Sequence, residues 1–228
     1  MRALLLALAA PAVIAAQAPA TQPAASTAAE DARLTAFLDR AFQERIALSP
    51  EAQTSLGLKT DYDKLDDETD AAAIRARDLG ERQLRDLRAG FSPARLGPSA
   101  RLSYRLFEEQ VERARDGFRF RKWRYPVSTN GSPMGDVPAF LINNHRIDSV
   151  ADADAYIARI RDSERVMRET AALIREQAGM GIVPPKMVFA PVRGDARKVL
   201  TGVPFTTGAD SALMGDFRKK VTALKASD

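Results

Sequence analysis

The stretch from Ser149 to Gly181 constrains this chain more than any other. Ser149-Val150-Ala151-Asp152 has the form of a capping box, a hydroxyl and a carboxylate placed to satisfy the orphan amides of a helix start. Behind it Ala153, Tyr156, Ile157, Ile160, Val166, Met167, Leu173 and Ile174 run in helical register without an intervening proline. Gly179-Met180-Gly181 ends the run and Pro184-Pro185 prevents its resumption. The pattern predicts one long helix over 150–178, or two joined near Ser163.

The same reading extends along the chain. Leu34, Phe37, Leu38, Ala41, Phe42 and Ile46 fall three and four apart, a helical face that Ser49-Pro50 ends or redirects. Residues 67–89 alternate charge with Ala71, Ile74, Leu79, Leu84 and Leu87, predicting a helix that ends at Gly90. After the Ser92-Pro93 and Gly97-Pro98 breaks, Ser99 can cap a helix whose stripe is Leu102, Leu106, Gln110, Val111 and Ala114 and which Gly117 closes. A last helix is expected from Ser211 through Leu213, Phe217, Val221 and Leu224. Between these, aromatic and basic residues alternate over 118–127, and Asn130-Gly131 and Ser132-Pro133 follow as turn signals. The expected fold class is therefore mainly α, a multi-helix array with a small extended or loop region around 118–147.

Composition narrows the function classes. Met1-Arg2 followed by the apolar, small-residue run Ala3 to Ala16 reads as a signal peptide over 1–20, too short for a membrane span. Residues 21–29 continue an Ala/Pro/Thr stretch expected to be a flexible leader, with a helical domain over 30–228. The expected location is periplasmic or secreted. A lipoprotein signal needs a cysteine and the chain has none, so no membrane anchor is expected, and stability must come from burial rather than disulfides. With 34 basic against 30 acidic side chains the formal charge is only +4, a mixed surface that does not by itself point to nucleic acid.

Candidate chemistry is sparse. One histidine, His145, and no cysteine leave almost no standard zinc chemistry. His145 could serve as a lone ligand or general base, but a loop histidine hydrogen-bonding the following helix start is the favoured reading. Ser128, Ser132 and Asp136 lie near it in sequence, yet Gly131-Ser132-Pro133 is not a nucleophile elbow. Asp61-Tyr62-Asp63-Lys64-Leu65-Asp66-Asp67 fails as a calcium loop, with Leu65 at a ligand position and Asp66 in place of the glycine. It reads instead as an acidic loop leading into a helix. Residues 113–125 carry six basic and four aromatic side chains, a combination that could bind single strands. A strand with one face in the core is favoured over that, and no nucleic-acid partner is expected.

Four segments together resemble the bacterial family called domain of unknown function 885. They are Ser49-Pro50-Glu51 through Leu56-Gly57-Leu58; Pro138 to Asp148; Asp152 to Arg159; and Gly181-Ile182-Val183-Pro184-Pro185-Lys186. The resemblance implies an exported zinc-metallopeptidase-like protein with a large, mostly helical fold similar to thermolysin-type helical peptidases. Its zinc motif, His-Glu-x-x-x-Gly-His or a close variant, is expected far toward the C-terminus, and this chain has no His-Glu pair. The chain is accordingly expected to be an N-terminal, non-catalytic portion, inactive alone and without a cofactor, zinc and a peptide substrate belonging only to a full-length member. The resemblance implies no catalytic or metal residue here; Asn143, Asn144, His145 and Arg146 are carried as substrate-cleft candidates. The alternative is an independent periplasmic helical module that binds a peptide or an acidic partner.

Overall fold

The computed structural model describes residues 24–225, so the signal-peptide reading of 1–20 lies outside the described residues. Eight α-helices and no named strand occur among them. α1 spans Ala24–Ile46 and so starts ahead of Glu30. α2 is the short Pro50–Ser55. α3 (Asp70–Gly90) and α4 (Pro98–Phe118) follow, joined through a 3-10 turn at Pro93–Arg95. α5 is Pro133–Asn144, α6 is Val150–Gly179, α7 is Phe189–Val199 and α8 is Ala212–Lys225.

Three apolar clusters hold the array. α1, α3 and α4 close on Leu34, Ala41, Leu84, Leu87, Leu96, Tyr104, Phe107 and Val111. α5, α6 and α8 close on Val137, Leu141, Ile147, Tyr156 and Val166, with Leu213, Phe217, Val221 and Leu224 packed against them. A smaller cluster of Val127, Val188 and Val192 joins α7 to this second layer. In the stripe expected on α4 Val111 faces in, but Leu102 and Leu106 face solvent and Tyr104 and Phe107 take the inward positions. The aromatic rings fill more interior volume per position, so they set which face turns inward.

The expected extended or loop region around 118–147 is loop and 3-10 turn over 119–132 and helical from Pro133 to Asn144. Among its described residues only an isolated bridge, Ser128 with Gly131, has β character. α4 runs to Phe118, a 3-10 turn occupies Arg121–Trp123, and α5 occupies Pro133–Asn144. Pro133 stands at the first helical position, where its missing N–H costs nothing, and Pro138 is tolerated inside the helix. Similarly Gly97, not Ser99, caps α4, with Pro98 at the first position.

Two glycines end helices in a way the sequence signals. α2 and α6 both finish in a Schellman motif, with Leu58 N–H donating to Gln53 C=O at 2.9 Å and Ile182 N–H to Gln177 C=O at 2.8 Å. Gly57 and Gly181 take the left-handed conformation this requires, φ 79° and 77°. Gly202, at φ 92°, is more restrictive, because an added Cβ would lie 2.6 Å from Ala209 O and 2.7 Å from Ser211 N. Gly202→Ala is expected to destabilise by roughly 2–3 kcal/mol through strain and backbone overlap. Gly181→Ala, with open space around the added methyl, should lose only about 1 kcal/mol. Urea unfolding of the two variants checks the ordering; equal losses would mean that the overlap at Gly202 relaxes freely.

Candidate functional site

The site grows from α6. Ser149 caps it, its hydroxyl accepting from Asp152 N–H at 3.2 Å, and Asp152 turns its carboxylate back to Asp148 N–H at 2.9 Å. Lys59 bridges Asp148 and Asp152 at 2.9 and 2.7 Å, pinning the loop after α2 to the helix start. Two turns further, Arg159 lies on the same face as Tyr156 and is wholly buried.

Arg159 is spent on neutral acceptors. Its Nε donates to Lys64 C=O at 2.8 Å, Nη2 to Thr54 Oγ1 at 2.7 Å, and Nη1 to His145 Nδ1 at 3.0 Å. The Tyr62 and Phe140 rings lie 4.9 and 5.0 Å from its guanidinium carbon, in cation–π range. Burial pulls the guanidinium below its ordinary range, opposed by Tyr62 and by the carboxylates of Glu51, Asp63 and Asp66. One side chain thereby ties α2, the 61–66 loop, the end of α5 and the middle of α6 together.

His145 is the cap residue of α5 and only 1% exposed. Arg159 can only donate, so Nδ1 must accept, and Nε2 carries the ring proton and donates it to Asp152 C=O at 2.9 Å. The ring stacks on Tyr62 with centroids 4.2 Å apart and meets the edge of Tyr156 at 5.1 Å. Burial is the main cause that lowers its pKa to about 4; the hydrogen bond to Asp152 opposes it, and the charges of Arg159 and Lys220 add to the lowering. The imidazole is thus neutral and fixed in one tautomer, with neither nitrogen free for a proton transfer or a ligand. Neither ring nitrogen bonds Ser128, Ser132 or Asp136, so they form no triad with it.

Around this centre, the Tyr62 hydroxyl accepts from Arg146 N–H at 2.7 Å and donates to Arg146 C=O at 3.0 Å. Tyr156 donates to Asp216 at 3.0 Å, and burial with the adjoining Asp216 charge raises its phenol pKa. Lys220 pairs with Asp216 and donates to the Leu141 and Ile142 carbonyls, capping the end of α5 from α8. Three of the four acids of the 61–67 loop are likewise engaged: Asp61 pairs with Lys64, Asp66 accepts from Ser49 and from Glu51 N–H, and Asp67 pairs with Arg75. A cavity of about 610 Å³ opens beside them, lined among others by Asp63, Asp162, Arg165 and Glu169. Arg165 is locked between Asp162 and Glu169 at 2.8 Å each.

Of the four cleft candidates, the structure buries His145 and leaves Asn143 and Arg146 exposed, while Asn144 donates to Ser55 Oγ at 3.4 Å. The sequence reading missed Arg159, Thr54 and Tyr62 as members of this junction. Position alone could have found Arg159, three residues beyond Tyr156 and seven beyond Asp152 on one helical face.

What the fold and this junction define is a helical array locked at a buried arginine–histidine centre. The chain belongs to the family described as bacterial protein of unknown function (DUF885), which matches residues 50–228 and so contains every residue of the junction. No curated protein and no solved structure matches the chain.

The zinc implied by the resemblance needs three protein ligands. The residues present do not fit it: both nitrogens of the single imidazole are engaged, and among the described residues no group of three or more His, Cys, Asp or Glu is placed to hold a metal ion.

Proposed function

We propose that this chain serves as a non-catalytic helical scaffold in an exported, zinc-peptidase-like protein of its family, and is inactive alone. The observation that carries the reading is the engagement of His145, whose two nitrogens are committed to Arg159 and Asp152. A general base needs a free lone pair within reach of substrate, and a zinc ligand needs the same lone pair. Further support comes from Leu102 and Leu106 on α4, 49% and 57% exposed one turn apart, an apolar strip suited to packing against further structure.

The test uses the purified mature chain, dialysed against zinc and offered a fluorogenic peptide library. The expected result is no stoichiometric zinc and no hydrolysis, with His145→Gln changing neither readout while lowering the unfolding midpoint. Zinc retained at one equivalent and peptide cleavage lost in His145→Gln would overturn the proposal. Saturable peptide binding without cleavage would replace it with the independent binding module.

A further inference from the structure

The corner where α4 and α6 both end presents an aromatic and cationic surface that the proposed scaffold role does not use. Phe120, Trp123 and Tyr125 are 51%, 65% and 42% exposed within one short turn. That turn is rigidly held. Trp123 N–H donates to Phe120 C=O at 2.8 Å, Arg121 forks onto Asp70, and Lys122 pairs with Glu176. Buried Gln177 on α6 donates to both Lys122 C=O and Arg124 C=O, at 2.9 and 2.8 Å.

A second segment is drawn to the same corner. Ile182 N–H bonds the Gln177 carbonyl, and Val127 packs in one cluster with Val188. Val183 and Met187, 57% and 71% exposed, belong to this second segment. Arg119, Arg124 and Lys186 stand in the two segments and form no ion pair among the described residues, while Arg119 lies over the Phe120 ring at 4.7 Å.

We infer that this corner is a peripheral docking surface for an anionic lipid bilayer. Tryptophan and tyrosine, with an apolar ring and a polar tip, are the side chains that settle at a bilayer interface, and arginine and lysine beside them meet lipid phosphates. The anchored cations, Arg121 and Lys122, fix the backbone; the unpaired ones supply the charge complementarity. No described helix is long and apolar enough to cross a membrane, so the contact is with the interface only.

Trp123 is the single tryptophan of the chain and reports on its own burial. With vesicles of phosphatidylcholine containing roughly one-third phosphatidylglycerol, the mature chain is expected to co-sediment and its emission to shift to the blue. Pure phosphatidylcholine should produce neither effect. Arg119→Gln and Arg124→Gln should each weaken sedimentation with the anionic vesicles about fivefold, and Tyr125→Ser should weaken it as well, with unchanged circular dichroism because these side chains are exposed. Failure to sediment with anionic vesicles would overturn the inference. So would a blue shift elicited by polyglutamate or by a single-stranded oligonucleotide but not by vesicles, which would assign the corner to a macromolecular partner. Neither outcome bears on zinc or hydrolysis, so this inference and the scaffold reading fail separately.

Discussion

Arg159→Ala is expected to cost this chain about 4 kcal/mol or more of folding stability, close to the whole stability of a marginal domain. The substitution leaves Lys64 C=O, His145 Nδ1 and Thr54 Oγ1 without the donor each now has. An unsatisfied buried acceptor costs about 1–3 kcal/mol, and the space left by a side chain this large adds a cavity that the four converging segments cannot fill. Arg159→Lys should recover little, because one ammonium cannot reach three acceptors that the planar guanidinium addresses in three directions. Arg159→Met should recover more. It restores volume between the Tyr62 and Phe140 rings and removes a buried charge that forms no ion pair with a carboxylate among the described residues, a replacement often nearly neutral in other proteins. The midpoints of urea unfolding followed by circular dichroism should therefore run wild type, Met, Lys, Ala in falling order. An alanine variant within about 1 kcal/mol of wild type would show that the junction is not what holds α2 and the 61–66 loop on α6.

The centrality of Arg159 shows where sequence periodicity stops working. Counting apolar residues at three- and four-residue spacing finds α1, α3, α6 and α8, because their apolar residues keep helical register, although α6 also buries Asp152, Arg159, Thr170 and Gln177. It does not register a buried arginine, since the rule treats every charge as a vote for solvent. On α4 both faces carry large apolar residues, and choosing Leu102 and Leu106 over Tyr104 and Phe107 misplaces the inward face there, while Val111 lies on it as expected. At Ser132-Pro133 the turn signal conceals a helix, because a proline at the first helical position favours a start. For 118–127 the alternation of rings suggested a strand, but alternation reports a strand only when one side is covered; Phe120, Trp123 and Tyr125 are all in solvent. His145 was legible as a residue that bonds the following helix start, because the capping sequence at Ser149 lies four residues on. Its contacts with Arg159 and Tyr62 come from positions 14 and 83 residues away in sequence and needed the fold.

The titration of His145 provides the second large effect, and it can be read without assignment because the chain has one histidine. In the folded chain its pKa is lowered from 6.5 to about 4. The folded state thus binds a proton less readily than the unfolded state, so the stabilising contribution is complete above about pH 6.5 and is lost as the pH falls through about 4. The difference corresponds to about 3 kcal/mol over that window. Glu51, held above its ordinary range chiefly by burial, titrates with the opposite sign, so the quantity to measure is the difference between wild type and His145→Gln. The glutamine variant should be less stable at pH 7 and show a shallower loss of stability between pH 6.5 and 4. Proton NMR of the ring gives the site directly: an unchanged spectrum down to pH 5 in the wild type, and in Arg159→Met a midpoint moved upward, because the cation and the donor on Nδ1 are both gone. A wild-type midpoint near 6.5 would mean that the ring is open to water and that Arg159 does not hold it, and the junction would then be available as the acid–base site that its sealed geometry argues against.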